Sequence, residues 1–244
     1  MNVLSLLLYL PLLATDSAAD TMTSASVVTR MAVIAGLALL PFAVMLLTSF
    51  TKMVVVLSLL RQAIGVQQAP PNQVINGMAI LMSVYVMFPT GLQMYQEASK
   101  YIENQPKTEL FSSESALFVK NVVDVSKEPL RKFLQKNTSR IHINYFYKLA
   151  YSKFPQEFKK SLANSDFIVL IPAYITSQLK GAFEIGVLIY LPFFVIDLVT
   201  SNILLAMGMM MLSPLTIALP LKLLLLVMVD GWTLIIQGIV QTYK

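Results

Sequence analysis

Residues 167–214 read FIVLIPAYITSQLKGAFEIGVLIYLPFFVIDLVTSNILLAMGMMMLSP. Up to Val199 the only charges are Lys180, Glu184 and Asp197. A helix crosses the hydrocarbon of a bilayer with about 20 mainly apolar residues, so residues 167–199 are long enough to span. The next apolar run, 203–229, contains Gly208 and Pro214. Both weaken a helix, which predicts two helices joined by a loop at membrane depth. Irregular backbone at that depth is tolerated only when buried in protein or lining a cavity. Outward from this stretch, residues 31–60 and 74–92 form two further apolar blocks of spanning length. The predicted fold is all-α, a polytopic membrane protein of helix hairpins with four or more spans.

The composition agrees. With 56% hydrophobic residues, 13% charged and a mean hydropathy of +0.68, the chain holds more apolar surface than one soluble core hides, so lipid or partner subunits must cover the excess. Cysteine is absent, which excludes disulfides and thiolate chemistry. The net charge of +5 does not indicate nucleic acid, because the basic residues are scattered and no aromatic-basic stacking surface accompanies them. Residues 1–20 combine an apolar run with a small-residue end but lack a basic start. They read either as a secretory signal or as a retained apolar N-terminus.

The expected organisation is this signal-like segment 1–20, an apolar hairpin region 28–95, a polar region 96–166 and a second apolar region 167–244. Residues 97–166 carry 12 of the 18 Lys and Arg, so this part is predicted to meet water. Helical spacing predicts short amphipathic helices over 110–125 and 128–134, with Pro129 in a first turn. A further segment, 141–158, carries Tyr145, Phe146, Tyr147, Tyr151, Phe154 and Phe158, a stripe that either docks a partner or, as is commoner at such spacing, forms a local core. The positive-inside bias is reliable only for loops up to about 60 residues, so it does not orient this one.

No catalytic set is legible. The single histidine, His142, reads as a surface or satisfied side chain, and there is no zinc motif, phosphate loop or nucleophile elbow. No cofactor or metal is expected. The informative polar residues are those inside apolar blocks: Lys52, Arg61, Lys180, Glu184, Asp197, Lys222 and Asp230. Charge there costs several kcal/mol unless it pairs, reaches water or snorkels. Lys52 and Arg61 are candidates either for snorkelling or for pairing between helices or subunits. Lys180 and Glu184 share a helix face. Asp197 and Lys222 have no opposite charge within a turn, so their partners belong to another helix or another subunit. Four of the 14 methionines, Met207, Met209, Met210 and Met211, surround Gly208. Long unbranched thioethers seal a hole yet yield to varied shapes, although such residues also serve as ordinary core.

Residues 48–72 (TSFTKMVVVLSLLRQAIGVQQAPPN), 181–186 (GAFEIG), 191–199 (LPFFVIDLV), 204–214 (LLAMGMMMLSP) and 229–232 (VDGW) closely resemble the FliP/SctR family. The likeness covers residues 41–92 and 167–237. Residues 64–68 (IGVQQ), 188–193 (LIYLPF) and 200–205 (TSNILL) look more like injectisome than flagellar members. The resemblance implies the export gate of type III secretion: about five copies with two smaller hydrophobic partners, FliQ/SctS and FliR/SctT, in a helical, cone-shaped assembly of the bacterial inner membrane. Unfolded secreted proteins would pass through its centre. It implies that the polar region faces the periplasm, that Met207, Gly208, Met209, Met210 and Met211 form a gasket narrowing the channel, and that the complex does no chemistry itself. A flagellar gate protein is the alternative within the family. A small secondary transporter or ion channel is the alternative outside it, but such a protein predicts inverted repeats, and none is seen.

Overall fold

The computed structural model describes residues 24–66, 69–103, 113–209 and 211–243. The segment 1–20, Gln67 and Gln68 of the quoted motif, the start of the helix predicted at 110 and Met210 lie outside these residues. The described residues are all-α, with nine helices and no strand among them: α1 Ser24–Leu47, α2 Phe50–Ile64, α3 Asn72–Glu103, α4 Ser113–Lys136, α5 Arg140–Lys153, α6 Gln156–Lys159, α7 Phe167–Ala206, α8 Pro214–Met228 and α9 Gly231–Gln241.

Two helices, α3 and α7, are long and apolar enough to cross a membrane unbroken. The block 31–60, expected as a further span, is bent instead; the block 203–229 is broken between Ala206 and Pro214 as expected, and a second bend follows it. Between Pro41–Leu47 and Phe50–Ile64 the axis turns by 74°, and between α8 and α9 it turns by 64°; residues 203–206 belong to α7. The first bend has a local cause. The Thr48 hydroxyl donates to the Val44 carbonyl at 2.5 Å and accepts the Phe50 amide at 3.3 Å, so the side chain supplies bonds that a continuous ladder would otherwise make. At the second, Asp230 takes a left-handed backbone with φ of 48°, a conformation that short polar side chains tolerate and aliphatic ones avoid.

In the polar region two expected helices are one. α4 runs through Pro129, because beyond the proline Phe133 and Leu134 are buried with Leu170 and Tyr174 of α7, and Leu130 packs beside them. That anchorage outweighs the ladder bond the proline lacks. α5 stops at Lys153 because Pro155 forces Phe154 into extended backbone, with ψ of 155°. The aromatic segment is not a local core. Tyr145, Tyr151 and Phe158 are exposed, since α5 turns Ala150 inward and rests Ile143 against the Phe133 cluster.

The core is organised around α2, the most enclosed of the apolar helices. Met53, Val56 and Leu57 are buried with Ile75 and Ala79 of α3, Ala182 of α7 and Ile239 of α9. One turn on, Leu60, Ala63 and Ile64 meet Phe193 of α7 and Leu226 of α8. The α2–α7 contact depends on a small residue, as close helix packing in membranes commonly does. A Cβ on Gly186 would lie 2.2 Å from Leu59 Cδ1 and 3.3 Å from Leu59 Cβ, whereas one on Gly181 would lie an ordinary 3.6 Å from Lys52 Cε. Gly186→Ala should therefore cost about 1–3 kcal/mol of overpacking and lower the thermal unfolding midpoint of the detergent-solubilised chain. Gly181→Ala should leave the midpoint where it is, and equal midpoints for the two variants would contradict the close approach at Gly186.

Candidate functional site: the methionine loop and the buried charges

The loop between α7 and α8 is built by its glycine and its proline. Gly208, at φ of 73°, donates its amide to the Leu205 carbonyl at 3.1 Å, and the Met209 amide reaches back to the Leu204 carbonyl at 3.0 Å. This pair of bonds is a Schellman closure, which satisfies the carbonyls that the end of a helix leaves open. A Cβ on Gly208 would meet nothing, so the glycine is there for its backbone angle and not for space. Ser213, in extended backbone, then precedes Pro214 in the first turn of α8, where a proline costs nothing. Between these two fixed ends Met207 is 65% exposed, Met209 46% and Met211 fully so. None of these three side chains belongs to a core cluster of the chain.

The charges fall into three groups. Lys222 on α8 is buried, and its ammonium donates to Asp197 Oδ2 of α7 at 2.7 Å and to the Ala63 carbonyl of α2 at 3.1 Å. Ala63 lies in the last turn of α2, where carbonyls are unpaired and the helix end carries partial negative charge. One cation thus ties three helices. The partners of Asp197 and Lys222 are each other, within a single chain, on different helices. Lys180 and Glu184, by contrast, face each other at 3.5 Å with both side chains more than half exposed, a geometry worth little in energy.

The remaining two cations are held by neutral groups. Arg61 donates to Asn72 Oδ1 at 2.6 Å and to the Pro70 carbonyl at 3.2 Å, pinning the connection between α2 and α3. Lys52 is buried; its ammonium donates to Thr242 Oγ1 at 3.2 Å and stands 4.3 Å from the centre of the Tyr243 ring, a cation–π contact. His142 is satisfied as expected, its Nδ1 2.6 Å from the Ser177 hydroxyl. Among the described residues no three His, Asp or Glu side chains gather as a metal site.

A polar hub between the apolar helices and α4 was not legible as a site. The Tyr174 hydroxyl donates to the Thr48 carbonyl at 3.0 Å, and the Tyr243 hydroxyl is shared between the Ser49 carbonyl at 3.3 Å and Gln178 Oε1 at 2.9 Å. Gln178 Nε2 passes the chain of bonds to the Asn137 carbonyl at 2.7 Å, and Ser83 joins Thr48 and Ser49 through their hydroxyls. The one signal that could have found it is the Thr-Ser pair in mid-block, which marks a bend and so implies donors for its carbonyls.

The FliP family model matches residues 33–239, including the polar region that carried little of the resemblance. The hypersensitivity response secretion protein HrcR of Ralstonia nicotianae is 44% identical over 208 residues, which cover 85% of this chain and 93% of the relative. Yop proteins translocation protein R of Yersinia pestis is 46% identical over 209 residues, covering 85% and 92%. The flagellar biosynthetic protein FliP of Pectobacterium carotovorum subsp. carotovorum is 36% identical over 219 residues, covering 88% and 78%. The secretion and translocation relatives are thus more similar than this flagellar one. With membrane-length helices, a Gly- and Pro-bounded methionine loop and a family match over most of its length, the chain belongs to the FliP family.

Proposed function

We propose that this membrane protein is a core subunit of a type III secretion export gate, of the injectisome branch, and that its methionine loop seals the channel. The observation that carries the proposal is the loop: three exposed methionines on a backbone fixed at both ends, between two apolar helices. Side chains that their own chain leaves exposed are available to copies of the same loop around an axis. A narrow ring of thioethers excludes water and ions by dewetting, and flexible unbranched chains then part around an unfolded polypeptide without leaving a polar group unsatisfied. The extensive exposed apolar surface, such as Leu81, Phe88, Leu188 and Val227, supports burial against lipid and neighbouring subunits. The gate would hold about five copies with SctS/FliQ-type and SctT/FliR-type partners in the bacterial inner membrane. Residues 96–166 would face the periplasm, and 28–95 with 167–244 would build the apolar wall. The protein itself would act as a conduit, without catalysis.

Replacing Met207, Met209 and Met211 together by Ala should leave the complex assembled while cells become permeable to ions and small solutes. Complex yield and ion conductance are measured side by side. A triple variant that assembles and stays tight would remove the loop from the seal, and one that fails to assemble without leaking would make it a packing element.

The buried cation generates a second expectation. Removing one member of a buried pair typically costs roughly 3–5 kcal/mol because the other charge is left uncompensated. Lys222→Ala should therefore sharply reduce the amount of complex that purifies with the two partners. Lys180→Ala, in an exposed pair worth about 1 kcal/mol or less, should leave the yield near wild type.

A further inference from the structure

A cavity of about 640 Å³ opens between α3, α4 and the end of α9, a size that fits a small amphiphilic ligand. Its lining is mainly apolar, with Val86 and Pro89 from α3 and Phe133 from α4, and includes Thr90, Gln93 and the exposed Lys132 and Lys136. The two lysines are four apart on α4 and so stand on one face. Neither has a carboxylate partner among the described residues. The cavity lies where the apolar part of α3 gives way to its polar end, since residues 74–92 are the apolar block and Gln93 begins the change. Exposed Tyr85 and Tyr95 flank this level on α3. Tyrosine and lysine at such a boundary are the groups that anchor a helix at the headgroup level of a bilayer.

We infer that this cavity is a binding site for an anionic phospholipid, whose phosphate is held by Lys132 and Lys136 and whose upper acyl chain lies along Val86, Pro89 and Phe133. Charge complementarity and depth choose this occupant. The boundary offers two lysines without a carboxylate partner among the described residues, beside a lining that is mainly apolar, and a phosphodiester on a hydrocarbon tail presents both in that order. A zwitterionic lipid fits the wall equally well but carries its own cation to the lysines. Each lysine near an anionic lipid surface contributes about fivefold to association.

The full-length chain is purified in mild detergent, mixed with phosphatidylglycerol or phosphatidylcholine, and the retained lipid is counted by native mass spectrometry. Wild type should retain phosphatidylglycerol over phosphatidylcholine. Lys132→Gln with Lys136→Gln should lower that preference by about 30-fold. The same charge removed from α5, by Lys148→Gln with Lys153→Gln, should leave the preference intact. Equal retention of the two lipids by wild type, or equal loss in the two double variants, overturns the site. A photo-cross-linker placed at Val86 in otherwise wild-type protein, assembled with its partners, provides a readout independent of the lysines. Capture of phospholipid supports the site, whereas capture of a second copy of this chain or of another polypeptide shows the cavity to be a protein interface and overturns it.

Discussion

A helix that ends inside an apolar bundle leaves carbonyl oxygens that water cannot reach, and each one left unpaired costs about 1–3 kcal/mol. The architecture depends on how these are met. At the bend before α2, tyrosine hydroxyls from α7 and from the segment after α9 take the carbonyls of Thr48 and Ser49. At the other end of α2 the ammonium of Lys222 takes Ala63. At the end of α7 the chain closes on itself through Gly208. α2 is thus held at both ends by side chains from other helices, and this fixes it at the centre, where three apolar walls then close around it.

The same accounting explains the isolated charges better than a search for opposite charges does. Among the described residues only Lys222 is a buried member of an ion pair, with Asp197, and even there the lysine serves a backbone oxygen as well. Arg61 and Lys52 satisfy loop carbonyls, amides and hydroxyls, and the exposed Lys180–Glu184 pair contributes little. A cation in an apolar block is here a multi-donor group placed where a helix stops, so its energetic role belongs to the link between packing and backbone satisfaction, not to long-range electrostatics.

Helix class, spanning length and the break at Gly208 were legible because they rest on local chemistry: apolar run length, a positive backbone angle and a proline without an amide. The bends at Thr48 and Asp230 were missed because run length counts residues and is blind to direction, and because the Thr-Ser pair acts through donors far away in sequence. Pro129 was misread for the complementary reason, since the burial of Phe133 and Leu134 against α7 overrides a local breaker. The aromatic segment of α5 carried the expected residues but not the expected burial, because the face turned inward carries His142, Ile143 and Ala150. For the loop itself, the sequence provided the residues and the structure added their exposure, which no periodicity predicts.

The bond from Tyr243 to the Ser49 carbonyl spans 194 positions. A ribosome that has delivered α2 into the bilayer has not yet made Tyr174 or Tyr243, whose hydroxyls reach the Thr48 and Ser49 carbonyls at its start. Until the seven helices α3 to α9 have followed, the tyrosine bonds at Thr48 and Ser49 are incomplete and the wall around α2 is missing its last side. Long-range closure of this kind slows folding and prolongs the life of partly assembled states with exposed apolar surface. The nascent chain therefore passes through a stage in which its most buried helix is its least protected one, and the time spent there is set by the length of chain between those two residues.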